Sequence, residues 1–173
     1  PGKSVCGPGL VQFPGHEHRY RCWKKTGHGG VSMDYAIAQS CDTFFYDMAY
    51  RMGVDKFSGY MSLFGFGKKT GVDLTSESDG LMPTPEWKQR RYKQVWYPGD
   101  TVNIGIGQGY WLATPIQLAH ATASIAMHGK RIRPRVLRAV RPAKNKPETI
   151  FEPEVIAQIP TRDPRHWNMV VQG

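Results

Sequence analysis

Residues 34–53 constrain the fold most, because they carry an amphipathic helical pattern that is interrupted in the middle. Apolar side chains recur at helical spacing, at positions 37, 41, 44, 45, 48 and 52, as in a helix that packs one face against a core. The run Ser40-Cys41-Asp42-Thr43 breaks the pattern, since Ser, Asp and Thr side chains compete for backbone hydrogen bonds in a helix. The sequence therefore predicts two helices joined by a polar turn.

The predicted turn is a candidate site. On an unbroken helix Ser40 and Asp42 would point roughly 200° apart, at about 100° per residue, so only a break lets both side chains reach one place. A hydroxyl and a carboxylate would then stand together at the break. The simpler alternative is that Ser40 and Asp42 only cap the second helix.

Composition limits the classes of protein that the chain can belong to. With 173 residues, of which 40% are apolar, the chain is large enough for one domain with its own core. The net charge of +9 is concentrated at residues 19–25, 88–93 and 130–146, which permits an anionic partner but is also typical of a solvated face. No run of 18 apolar residues occurs and no signal peptide opens the sequence, so any anchor is expected to lie elsewhere.

The first 30 residues are predicted to be a loop-dominated segment that needs a stabilising group, because they show neither helical nor strand periodicity. Cys6, Cys22, His28 and Cys41 would form a Cys3His set of the kind that binds structural zinc, with His16 and His18 in reserve. The odd number of cysteines favours such a site. The alternative is a Cys6–Cys22 disulfide with Cys41 buried as a small apolar residue, as expected in an oxidising compartment.

The rest of the chain reads as a mixture of helices and strands, an α+β pattern. A short helix is predicted over 55–64, a helix start at 83–87, a strand-like start at 101–104, a helix with Thr114 as N-cap, strands within 132–140 and 149–159, a basic linker over 142–147 and a final helix from 166.

Three short patterns are weak on their own. Lys69-Thr70-Gly71 matches a K-T-G element but stands in a Gly-rich loop, so we interpret it as a chance match. Gly105-Ile-Gly-Gln-Gly lacks the G-x-G-x-x-G spacing of a dinucleotide loop. The basic and aromatic stretch 87–97 could stack nucleobases, as in a zinc-stabilised module that binds nucleic acid, but we favour aromatics that pack inward.

Several longer stretches together resemble the transpeptidase domain of class B penicillin-binding proteins of the cell-elongation machinery, in the family's order over about residues 15–173. They are Gly27-His28-Gly29, residues 38–45 (AQSCDTFF), 64–67 (FGFG) with 70–74 (TGVDL), 96–100 (WYPGD), and 105–111 (GIGQGYW) with 113–117 (ATPIQ). The resemblance implies the serine β-lactamase and D,D-peptidase-like fold, with residues 1–30 as a His/Cys-rich segment of one domain and 31–173 as its helical and sheet scaffold.

The resemblance also implies a function. The family cross-links peptidoglycan stem peptides as a serine D,D-transpeptidase and is acylated by β-lactams, using S-x-x-K, S-x-N or S-x-D, and K-T/S-G. Only the second element is present, as Ser40 and Asp42. The sequence would then be the central part of the domain, inactive alone, with S-x-x-K before it and the true K-T-G after it.

Cofactor, partners and location follow from the same resemblance. Some similar proteins carry zinc beside the active site at places that correspond to Cys22, His28 and Cys41, with Cys6 upstream. The expected location is the periplasmic face of the bacterial inner membrane. The expected partners are stem peptides, β-lactams and elongation-machinery membrane proteins, including a SEDS-family glycosyltransferase, and not nucleic acid. A purely structural or partner-docking role for the segment is a further alternative.

Overall fold

The structure, a computed structural model, describes residues 4–6, 9–15 and 17–173, and these residues contain seven helices. The helices are α1 Met33–Ala38, α2 Asp42–Met52, α3 Val54–Leu63, α4 Pro85–Tyr92, α5 Pro98–Ile104, α6 Pro115–Ala126 and α7 Arg165–Gln172. α1 and α2 are separate, as predicted from the weak helix formers between them. Thr114 caps α6 as predicted, because its hydroxyl accepts the Gln117 N–H at 3.2 Å while the Gln117 side chain accepts the Thr114 N–H at 2.9 Å.

Among the described residues, eight short strands pair into two-stranded antiparallel sheets. The strands are β1 Ser4–Cys6, β2 Leu10–Gln12, β3 Arg19–Arg21, β4 Gly29–Val31, β5 Lys130–Ile132, β6 Ala139–Val140, β7 Thr149–Ile150 and β8 Val155–Gln158. Their pairs are β1 with β4, β2 with β3, β5 with β8 and β6 with β7. The first two pairs order the segment that carries the predicted metal ligands, and the pair of Cys6 with Gly29 brings that cysteine beside His28.

Three sequence predictions about secondary structure need correction. The segment predicted to be loop-dominated, residues 1–30, also carries β1, β2, β3 and the start of β4 among its described residues, because strands of three residues are too short to show a period. The strand-like start at 101–104 is the end of α5, which begins at Pro98 and whose Asp100 carboxylate accepts the Tyr97 N–H at 2.8 Å. The strand predicted over 132–140 is confined to Ile132 and to β6 at its two ends.

Three apolar clusters form the core of the part of the chain that the structure describes. The largest lies between α3, α5, α6 and α7, around Phe64, Ile104 and Trp167. A second surrounds Cys41 and Phe44 beneath the α1–α2 turn, and a third packs Val102 of α5 against aromatic residues of α2 and β3. The turn between α1 and α2 therefore packs against a buried apolar cluster.

Gly105 shows how closely α5 approaches α2. A Cβ added at Gly105 would lie 2.4 Å from the Ala49 Cβ and 3.2 Å from the Phe45 carbonyl oxygen. Only a residue without a side chain allows this approach. The end of α5 is thereby held against the helix that begins at Asp42.

The K-T-G match and the basic, aromatic stretch both have structural explanations. Glu77 accepts hydrogen bonds from the Thr70 hydroxyl and from the Thr70 and Gly71 N–H groups, and Lys69-Thr70-Gly71 lies in an irregular loop rather than a strand. In the second stretch Lys88 is buried in an ion pair with Asp100, and Trp87 packs against Tyr92 and Tyr110. Tyr92 and Tyr97 are themselves exposed, so the predicted inward packing of the aromatic residues holds only for part of this stretch. Within the described ranges, no helix has both the length and the apolar character needed to cross a membrane.

Candidate functional site

The turn between α1 and α2 has an unusual backbone. Ser40 adopts φ 49°, in the left-handed region that side chains other than Gly, Asn and Asp seldom occupy. The Gln39 N–H bonds to the Tyr35 carbonyl at 2.9 Å, and the Cys41 N–H bonds to the Ala36 carbonyl at 2.9 Å. These bonds end α1 in a tight turn, from which α2 starts at once.

This turn separates the three central side chains onto two sides. Ser40 is exposed and Asp42 is half-buried, whereas Cys41 is fully buried. Ser40 and Asp42 line a shallow open depression of about 330 Å³ whose other walls are Ile37, Phe45, Gly105 and Ile106. The geometry thus brings the hydroxyl and the carboxylate to one depression.

Asp42 is held in place from outside the turn. Its Oδ2 accepts the backbone N–H of Trp23 at 3.0 Å, and the indole N–H of Trp23 donates to the Gln39 carbonyl at 3.0 Å. Asp42 is also the first residue of α2, where a carboxylate is favoured by the helix dipole. Trp23 was not among the predicted site residues, because nothing in the sequence around a single tryptophan indicates a contact with residues 16 and 19 positions away.

On the inner side of the turn, Cys6, Cys22, His28 and Cys41 come together. One ligand atom from each residue lies within 4.8 Å of all the others. All three cysteines are free thiols, so the alternative of a Cys6–Cys22 disulfide is not formed in this structure. Of the two reserve histidines, His18 does not join the group, and its ring packs edge-on against Tyr20. His16 lies outside the described residues.

The four side chains offer the donor set of a closed zinc site. Zinc–sulfur bonds of about 2.3 Å in a tetrahedron place the ligand atoms roughly 3.8 Å apart. The Cys6 Sγ lies 3.4 Å and the Cys22 Sγ 3.6 Å from Nδ1 of His28, close to that spacing. The opposite ring atom, Nε2, is buried without a hydrogen-bond partner among the described residues.

The thiols differ in acidity. Burial alone raises the pKa of Cys6, but hydrogen bonds from Thr43 and His28 outweigh it and lower that pKa to about 7. The bond from the Thr43 hydroxyl is 2.7 Å long. Burial raises the pKa of Cys41 to about 11, and the neighbouring Cys6 adds to the rise. Cys41 would therefore ionise near neutral pH only with a cation beside it.

Comparison with known proteins shows which family the chain around this turn matches. The family described as penicillin binding protein transpeptidase domain matches residues 8–170. A peptidoglycan D,D-transpeptidase MrdA of Salmonella typhimurium is 46% identical over 174 residues, which cover 100% of this chain and 28% of that protein. The chain thus spans less than a third of this relative's length.

Solved structures agree with the family. The crystal structure of Pseudomonas aeruginosa PBP2 in complex with WCK 5153 has a TM-score of 0.85 and 44% identity, covering 98% of this chain and 37% of that one. A complex between PBP2 and MreC from Helicobacter pylori has a TM-score of 0.73 and 36% identity, covering 86% of this chain and 27% of that one. None of these similarities supports the nucleic-acid alternative, and together they confirm the predicted transpeptidase fold. The chain belongs to the penicillin-binding protein transpeptidase family, as a class B member similar to penicillin-binding protein 2.

Proposed function

We propose that this chain is the central part of the transpeptidase domain of a peptidoglycan-cross-linking D,D-transpeptidase, and that Ser40 and Asp42 are its contribution to the active site. The observation that carries the proposal is the left-handed turn at Ser40, which brings the Ser40 and Asp42 side chains to one open depression. The substrates would be peptidoglycan stem peptides, and β-lactams would acylate the enzyme. These assignments rest on the family and on the names of the similar proteins.

Ser40 is proposed to relay a proton. In acyl transfer the nucleophilic serine loses a proton, and the leaving amine must gain one. A second hydroxyl can accept a proton from one group and donate its own to another. Ser40 is exposed at the depression, and no hydrogen bond within the described structure occupies its hydroxyl. The nucleophile and its lysine would come from an S-x-x-K element, which this sequence does not contain.

Asp42 is proposed to orient a cationic or N–H group. An ionised carboxylate accepts hydrogen bonds but donates none, so Asp42 would hold the lysine ammonium or a substrate N–H rather than a carbonyl. Its Oδ2 already accepts the Trp23 N–H, which leaves Oδ1 for that partner.

We also propose that Cys6, Cys22, His28 and Cys41 bind a structural zinc ion. The burial of the three thiols and the spacing of the four ligand atoms support this proposal. Four protein ligands leave no position for a substrate, so the role would be to fix the turn from behind rather than to take part in the reaction. The ion would supply folding free energy to a segment built from three-residue strands.

The cellular setting is proposed by analogy. The enzyme would act at the periplasmic face of the inner membrane, in contact with elongation-machinery membrane proteins that include a SEDS-family glycosyltransferase. A similar protein was solved in complex with MreC, which supports partners of this kind.

Covalent labelling tests the catalytic proposal. Full-length protein incubated with a fluorescent penicillin should give a denaturation-resistant fluorescent band that prior treatment with unlabelled penicillin abolishes. The 173-residue chain alone is the matched control and should give no band, since it has no S-x-x-K. Absence of an adduct in well-folded full-length protein would reject the proposal.

Metal analysis tests the zinc proposal. Protein purified without chelator should contain one zinc per chain, and chelation should increase the number of thiols that react rapidly. His28→Ala should lose the metal, whereas His18→Ala should keep it because His18 lies outside the cluster. A stoichiometric disulfide in metal-free, folded protein would contradict the site.

A further inference from the structure

Trp23 connects the Cys3His cluster to the turn that carries Ser40. Its backbone N–H donates to the Asp42 carboxylate at 3.0 Å, and its indole N–H donates to the Gln39 carbonyl at 3.0 Å. Asp42 and Gln39 flank Ser40 and Cys41 on the two sides. A single residue therefore bridges the turn across both of its ends.

The turn needs such support because its backbone is strained. Ser40 at φ 49° lies in the left-handed region, where the Cβ of an ordinary side chain comes too close to the following carbonyl oxygen. The bonds from Gln39, Ser40 and Cys41 N–H groups all run back into α1. The two bonds from Trp23 come from outside that helix, and they restrain the turn against the rest of the domain.

Trp23 is also fixed from the other side, by the proposed metal ligands. It directly follows Cys22, and its ring meets the His28 ring edge-on, with 5.4 Å between centroids. Yet the Trp23 side chain is 62% exposed, so burial of apolar area does not explain its place. Its two hydrogen bonds, to Asp42 and to Gln39, are the contacts that explain its position.

We propose that Trp23 is a positioning residue, which transmits the order of the Cys6–Cys22–His28–Cys41 cluster to the Ser40 turn and holds Ser40 and Asp42 at the depression. The inference rests on the proposed transpeptidase function. Trp23 touches neither substrate nor nucleophile in this account, and it acts only through Gln39 and Asp42.

The test variant is Trp23→Phe, which keeps an aromatic ring and the backbone N–H but removes the indole donor to Gln39. In full-length, metal-loaded protein the maximal rate constant of acylation by penicillin should fall about three- to ten-fold, as expected for the loss of one hydrogen bond. The concentration for half-maximal rate and the zinc content should stay unchanged. Trp87→Phe is the matched control, since Trp87 has no described hydrogen bond from its indole, and it should acylate like the wild type.

A merely structural role gives a different result. It would reduce the fraction of protein that is acylated and lower the melting temperature, while each folded molecule reacted at the wild-type rate constant. That result, or a rate constant equal to the wild type, would overturn the inference. Failure of the wild-type protein to acylate would instead reject the proposed function.

A second measurement needs no variant and no activity. In NMR spectra of the full-length wild-type chain with zinc bound, the Trp23 indole N–H should exchange with solvent at least about five-fold more slowly than that of Trp87. Removal of the metal should speed the Trp23 exchange and leave Trp87 unchanged. Equal exchange for both indoles in the metal-bound chain would refute the bridging contact.

Discussion

Gly105→Ala should destabilise the protein, because α5 meets α2 at this residue without room for a methyl group. The new Cβ would lie 2.4 Å from the Ala49 Cβ, whereas carbon atoms prefer about 3.5–4.0 Å. The helices must then separate by more than about 1 Å. Overpacking of this kind typically costs about 1–3 kcal/mol.

The backbone itself does not oppose the substitution. Gly105 has φ −60° and ψ −23°, which any residue adopts, and replacing Gly by Ala in a helical conformation gains up to about 1 kcal/mol. For an overpacking cost in the middle of that range, about 2 kcal/mol, the net loss is about 1–2 kcal/mol. For a chain of this size that corresponds to a melting temperature lowered by roughly 2–8 °C.

Thermal unfolding followed by circular dichroism measures this effect against a matched control. Gly59 lies inside α3 with open space around its added Cβ, so Gly59→Ala should raise the melting temperature. In Gly105→Ala combined with Ala49→Gly, the loss should be smaller than the sum of the single losses, because the clashing methyl is gone. A Gly105→Ala protein as stable as Gly59→Ala would refute the close packing of α5 on α2.

Two further predictions concern charged groups. The Lys88 ammonium is 2% exposed and lies 2.6 Å from the Asp100 carboxylate. Asp100→Asn should therefore lower the free energy of unfolding, measured in urea, by about 3–5 kcal/mol, because it leaves a buried charge unpaired. Lys88→Met should cost less, and equal losses for the two variants would argue against an unpaired buried charge as the cause. Burial raises the pKa of Glu77, but bonds from Thr70 and Gly71 outweigh it and hold that pKa below its ordinary value. The stabilising contribution of the Glu77 carboxylate is therefore fully present above about pH 4.5 and is lost as the pH falls through the lowered pKa. In Glu77→Gln the free energy of unfolding should fall less steeply as the pH is lowered. An acid transition identical to that of the wild type would contradict this.

The break between α1 and α2 could be predicted because its cause is local. Ser40, Asp42 and Thr43 are poor helix formers wherever they stand, and the apolar spacing on both sides fixed where each helix resumes. The Cys3His group could be predicted from residue types alone. Three cysteines cannot all form disulfides within one chain, and together with a histidine they make up the four ligands of a structural zinc site. The structure brings those four residues together, and the bound metal stays a prediction.

The features that the sequence did not reveal depend on partners far away in the chain. Val102 and Ile104 are typical of strands, but the Asp100 cap and Pro98 make that stretch a helix. Strands as short as β1 to β4 exist only through their pairing. The contacts of Trp23 depend on how the β3–β4 connection folds over the turn, which no local pattern encodes.

The claim that Ser40 takes part in acyl transfer is tested most directly by the acylation rate constant of Ser40→Ala in full-length, zinc-loaded protein. Ser76→Ala, an exposed loop serine without a described hydrogen bond, is the control. Loss of a positioned proton relay should slow acylation by about 10²-fold or more, with metal content and melting temperature close to the wild type and with Ser76→Ala unaffected. A folded Ser40→Ala protein that acylates at the wild-type rate would contradict the role assigned to the turn.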